Sequence, residues 1–262
     1  MWTFTTVAIL AANPTAPNLG EAGRFVILAS QAITTTTPPP ASAISNGDIG
    51  IIDQARTYIT GFTSVGPAGD KAELTNGTTY APDDANPAPF PYPLHTATPV
   101  VGAAWTTTGA MITQVRTDMG IAYTFLKADP NPSAPTQVMP TQLGGLTLTR
   151  GVYKTASNVL LTTGPLHLDA QGDPNSVFIF VIGGTLTIGA PSGAIILDNQ
   201  AQAKNVYFVT SGFTVIEAGR SVYGNIFATS QVNVLAGANI TGRLFAQTDR
   251  VTLISATVTK AP

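Results

Sequence analysis

Across residues 212–260 the chain repeats itself every 18 residues. Val222, Ile240 and Val258 recur at that spacing, as do Gly224 and Gly242, Ile226 and Leu244, Ala228 and Ala246, and the polar series Ser221, Asn239 and Thr257. A unit this short has alternating apolar runs and tight corners but cannot bury its own inner face, so each repeat must stack on the next. The expected fold is therefore mainly β, a β-solenoid whose coils contribute like side chains to ladders along the stack.

The rest of the chain can be placed around that stack. Residues 24–33 read as a strand, and residues 44–52 as a second one entered through Asn46-Gly47. Residues 60–104 change character, with Gly61, Gly66, Gly69, Asp83, Asp84 and a proline series, and are expected to form a cap over an open solenoid end. Over residues 105–128 the apolar period becomes helical: Met111, Val115, Met119, Ala122 and Leu126 share one stripe, a threonine at 106–108 can cap the start, and Pro130 stops it. Strands resume at about residue 143 and continue to the end. Residues 1–17 form an N-terminal segment, either a secretion-signal remnant or mature sequence, and residues 18–262 form a single domain.

Two inner columns are expected, Phe178, Val206, Ile226 and Leu244, and beside it Phe180, Phe208, Ala228 and Ala246, at spacings of 28, 20 and 18. Successive strand side chains alternate, so Ile179, Tyr207, Phe227 and Phe245 should point outward. That column needs a cover, and the amphipathic helix is the element available. Beside inner Val222, Ile240 and Val258 runs a different outward ladder of Ser221, Asn239 and Thr257, with Thr241 and Thr259 beyond. Ala218, Ala236 and Ser255 lead into it, and Thr155 and Asn158 are expected to extend it upstream.

Composition narrows the function. Charged residues are 10% of the chain, against roughly 25% in an average soluble domain. Net charge is −2 and no Lys/Arg cluster exists, which argues against nucleic acid or an anionic membrane as partner. Nothing approaches transmembrane length. Without cysteine there are no disulfides or thiolate metal sites.

Solenoids also host polysaccharide lyases and hydrolases, which need grouped carboxylates. Beyond residue 130 the acids are Asp169, Asp173, Asp198, Glu217 and Asp249, and their spacing makes no ladder. Asp169 and Asp173 are read as a turn, and His95 and His167 as structural. The chain is therefore expected to be no enzyme and to need no cofactor or metal.

The residues at 18–29, 46–50, 143–154 and 171–189, with the 224–228 and 242–246 repeats, resemble the secreted microbial ice-binding proteins built on a discontinuous right-handed β-solenoid. The resemblance implies a triangular solenoid, a helix alongside, a cap after the first coil, and a last coil stacked near the first. It also implies an ice-binding face with a loose T-A/G-X-T/N pattern, which Thr155, Ala156, Ser157 and Asn158 match, whereas Ala218, Ala236 and Ile254 stand in the first position of the other three segments. The implied partner is the surface of an ice crystal, met by a secreted monomer. A surface adhesin or carbohydrate-binding solenoid is the alternative.

Overall fold

The computed structural model describes residues 12–36, 41–66, 70–85, 105, 107–128 and 136–262. Apart from the small antiparallel pair of Ser64–Val65 and Asp70–Lys71, its strands stack in parallel, in line with inner side chains that match from coil to coil. One sheet face takes, in spatial order, Gln137–Val138, Gly151–Thr155, Phe178–Ile182, Val206–Thr210, residues 225–228, residues 243–246, Phe25–Ala29, Asp48–Ile51 and Thr79–Tyr80. A second face is a seven-stranded sheet of Val159–Leu161, Leu186–Ile188, Thr214–Ile216, Val232–Val234, Arg250–Ile254, Ala32–Thr36 and Ile59–Thr60. The third face is divided. Thr147–Thr149, Pro165–Asp169 and Ala194–Asp198 form a separate three-stranded sheet, and residues 221–223, residues 239–241, Thr257–Thr259, Ala43–Ser45 and Leu74–Thr75 continue the stack beyond it.

Strands Ser221–Ala228 and Asn239–Ala246 each run through the corner between the third face and the first. They bend at Gly224, with φ +140°, and Gly242, with φ +157°. A Cβ on Gly242 would lie 1.8 Å from the Gly224 carbonyl oxygen, so the repeated glycine is a steric requirement of stacking one bend on another.

The coils do not stack in chain order. Leu244, Phe245 and Ala246 pair with Ile27, Leu28 and Ala29, and Val258 pairs with Ile44, so the C-terminal coil closes onto the N-terminal one. Residues 59–80 add short strands outside that first coil, Ile59 beside Ile33, Leu74 beside Ile44 and Thr79 beside Ile49. Much of the segment expected to cap the solenoid, residues 86–104, lies outside the described residues.

The inner columns correct the expected register. Phe178 pairs with Val206 and Phe180 with Phe208, but Phe208 then pairs with Ile226 and Thr210 with Ala228. The interval there is 18, not 20, and Tyr207 stands level with Asn225 while Phe227 stands level with Val209. A slip of two residues keeps every side chain on its own side of the sheet, so the apolar pattern cannot detect it.

The helix spans Thr108–Lys127, with the Thr107 hydroxyl accepting from the Ala110 amide as its N-cap. Met111, Ile112, Val115, Met119, Ala122 and Leu126 are buried against Phe25, Leu28, Ile179, Val181, Tyr207, Val209, Phe227 and Phe245. The outward aromatic column is thus covered as the alternation requires. Each large side chain removed from water there contributes roughly 1.5–3 kcal/mol. Polar contacts orient the helix: Asp118 accepts from the Glu21 amide at 2.8 Å, and the Tyr123 hydroxyl lies 2.5 Å from that of Thr229.

Candidate functional site

With one face under the helix, two are left without such a cover among the described residues. On the third face the expected ladder exists. Ser221, Asn239, Thr257 and Ala43 stand side by side, and Tyr223, Thr241, Thr259, Ser45 and Thr75 form the next outward column. The Ser45 and Thr259 hydroxyls are 3.0 Å apart. Ala218, Ala236 and Ser255 occupy the corner turns that feed these strands, where the Gly219 amide donates to the Ala236 carbonyl and the Gly237 amide to that of Ser255. Eight of the ten expected residues therefore come together on one face and its entering corner.

Thr155 and Asn158 do not join them. Thr155 ends a strand of the helix-covered face, paired with Ile182. Asn158 begins the opposite corner, its side-chain oxygen accepting from the Thr185 amide at 2.9 Å. Each coil has several corners of similar composition, and residues 155–158 occupy a different one from residues 218–221. A repeat matched by residue type alone cannot tell these corners apart.

The seven-stranded face carries a longer column. Leu160, Thr187, Val215, Asn233, Thr252, Thr34 and Thr60 align in that order. At ~4.8 Å per strand seven rungs extend over roughly 29 Å, whereas the five-rung column of the third face extends over roughly 19 Å. Every strand between them is hydrogen-bonded, so this surface is continuous, while the third face is interrupted between Ala194–Asp198 and residues 221–223. Inner neighbours Val159, Leu186, Thr214, Val232, Val251 and Ile33 are fully buried, which fixes the outward direction of the column. The Thr34 and Thr60 hydroxyls are 3.2 Å apart.

This column was legible only in part. Thr187 lies in an apolar-threonine-apolar triplet and Asn233 in an apolar-asparagine-apolar one, a pattern that recurs once per coil and could have identified the face. The 18-residue ladder of Ser221, Asn239 and Thr257 is more regular and draws attention first.

No charged side chain stands in either column. Charges flank the seven-stranded face at Glu217, whose carboxylate accepts from the Ala190 amide at 2.7 Å, and at Arg250, which pairs with Asp249 at 3.1 Å. Displaced proton affinities lie elsewhere. Burial pushes the Tyr207 phenol up to about 12 under the helix, raises the Asp48 carboxyl against the pull of Arg24, and lowers Arg243 and Lys260 where the first and last coils meet.

Among the described residues no three His, Asp or Glu side chains are placed to hold a metal ion. Asp173 accepts from the Asn175 amide in a turn and pairs with Arg150 at 2.8 Å. Asp169 instead ends the strand Pro165–Asp169, accepts from the Gln171 amide of the turn that follows and stands level with Asp198, so Asp169 and Asp198 adjoin where their sequence spacing suggested no ladder. His167 Nδ1 lies 2.7 Å from Asp198, and His95 lies outside the described residues. Among the described residues no helix is long and apolar enough to cross a membrane.

Comparison with known proteins places the chain in a family. The profile of the family described as Ice-binding-like matches residues 27–259. Ice-binding protein 1 of Shewanella frigidimarina is 58% identical over 259 residues, covering 99% of this chain, and the chain spans 28% of that relative's length. An ice-binding protein of a Colwellia species is 31% identical, with 92% of this chain and 82% of the relative covered. Among solved structures, a domain of the Shewanella protein superposes with a TM-score of 0.87 over 96% of this chain and 100% of that one. A glycosylated ice-binding protein from an Arctic yeast, 26% identical, superposes with a TM-score of 0.77 over 95% of this chain and 96% of that one. With its parallel solenoid, its flanking helix and a family match over most of its length, the chain belongs to the ice-binding-like family.

Proposed function

We propose that this chain adsorbs to the surface of ice crystals and so slows their growth and recrystallisation, acting outside the cell as a monomer and without catalysis. The observation that carries the reading is the continuous seven-rung column of Leu160, Thr187, Val215, Asn233, Thr252, Thr34 and Thr60. Ice is a rigid solid, so a surface that binds it must already be ordered. Parallel strands supply one spacing along the stack, and threonine is stiff at χ1. Methyl groups beside hydroxyls and an amide then hold a layer of water in an ice-compatible arrangement, which merges with the crystal front. Charges would bind their own hydration shells and compete with that order, so a charge-free column suits the task.

The Ser221, Asn239 and Thr257 face is the second reading, favoured by its own uncharged columns and by the hydroxyl pair of Ser45 and Thr259. Ice growth watched in a nanolitre osmometer tests the function itself. Faceted crystals that stop growing within a temperature gap are expected. Crystals that grow as round discs, together with recrystallisation at the rate seen in buffer, would remove it.

A further inference from the structure

We propose that Phe213 limits how closely the seven-stranded face can approach ice, so that a bulky flank, and not the threonine column alone, sets the strength of adsorption. The inference rests on assigning that face to ice. Beside the central column run the residues that precede each inner position, Asn158, Thr185, Phe213, Gln231, Arg250 and Ala32, which backbone bonds from the Val159, Leu186 and Thr214 amides and the Ala32–Arg250 pairing hold side by side. Thr214 is fully buried, so Phe213 must point the other way, and it is 38% exposed. The Phe213 carbonyl accepts from the Leu186 amide, which anchors its backbone in the sheet.

Phe213 differs from its column neighbours in a way that matters for a rigid partner. Asn158 and Thr185 are short. Gln231 and Arg250 are long but flexible, and can lie along the sheet. A phenyl ring has only two side-chain torsions and reaches further from its Cα than a threonine side chain. It immediately precedes the strand Thr214–Ile216, and Val215 of the central column lies two residues on, so the ring adjoins the residues proposed to meet ice. A protein partner could shape a pocket around such a side chain, but a crystal plane cannot. Contacts lose a quarter to a half of their attraction when opened by about 0.5–1 Å, so one proud ring weakens those around it.

The experiment compares thermal hysteresis at equal molar concentration for the unaltered chain and four variants. Phe213→Thr and Phe213→Val both lower the ring, one with a hydroxyl and one without, and each is expected to raise hysteresis about twofold by enlarging the contact area. Thr187→Tyr and Thr252→Tyr are expected to lose most of it. Hysteresis no higher than that of the unaltered chain in both Phe213 variants, with native melting, overturns the inference while loss in the tyrosine variants keeps the face. Full activity in both tyrosine variants overturns the face assignment, and the inference with it.

Discussion

Arg243 donates to the Gly23 carbonyl at 3.2 Å across 220 residues of sequence, and to the Asn225 side chain at 3.0 Å. Lys260 Nζ reaches the Arg24 carbonyl at 3.3 Å beside it. These cations hold the end of the Gly20–Arg24 turn where the C-terminal coil meets the first one, a junction with no continuous chain across it. Arg243→Ala should lower stability by about 2–3 kcal/mol, because it leaves buried acceptors unpaired and opens a void. Arg250→Ala, at an exposed side chain, should stay within about 0.5 kcal/mol. Urea melts of the two variants check this, and equal midpoints would show that the junction does not depend on Arg243.

Phe227 and Phe245 are fully buried beneath the helix, with ring centroids 5.0 Å apart. Phe227→Asp or Phe245→Asp should cost at least about 3 kcal/mol, since each removes an aromatic and buries a carboxylate in an apolar cluster. Loss of the cooperative thermal transition, or a large fall in its midpoint, is expected. Melting like that of the unaltered chain would mean that the helix leaves this column open.

The two open faces can be separated by tyrosine substitutions that leave the core alone. Thr252→Tyr should reduce ice activity sharply, and Asn239→Tyr on the other face should reduce it less, each with a stability change within about 0.5 kcal/mol. The reverse order would transfer the contact to the face of Ser221, Asn239 and Thr257.

Tyr207 introduces an alkaline sensitivity. Burial favours its neutral form and raises its pKa from 10.0 to about 12, so the stability it contributes is fully present below pH 10. Above that, the unfolded chain loses the proton first, and stability falls by up to about 3 kcal/mol as the pH nears 12. Tyr207→Phe should flatten that part of the pH profile in denaturant titrations. An unchanged slope would assign the sensitivity to other groups.

Much of this fold could be read without coordinates, because the information is local. Side chains alternate along a strand, so Phe180 had to face in and Phe245 out, and the Met111, Val115 and Met119 stripe had to lie against an apolar surface. The stacking of like residues at 18-residue intervals follows from the same pattern, and so does the Ser221, Asn239 and Thr257 ladder.

Tertiary structure decided the rest. The pairing of Phe208 with Ile226 in place of Ala228 changes no side chain's polarity or direction, so only the backbone hydrogen bonds of neighbouring coils could select it. Thr155 and Asn158 fit the residue pattern, yet they turn at another corner, since a corner's face depends on how much chain precedes it in its own coil. The seven-rung column joins Leu160 to Thr60 by way of Thr252 and Thr34, crossing between the C-terminal and N-terminal coils. That junction lies between residues more than two hundred positions apart, and long-range stacking of complementary edges forms it, which no local periodicity encodes.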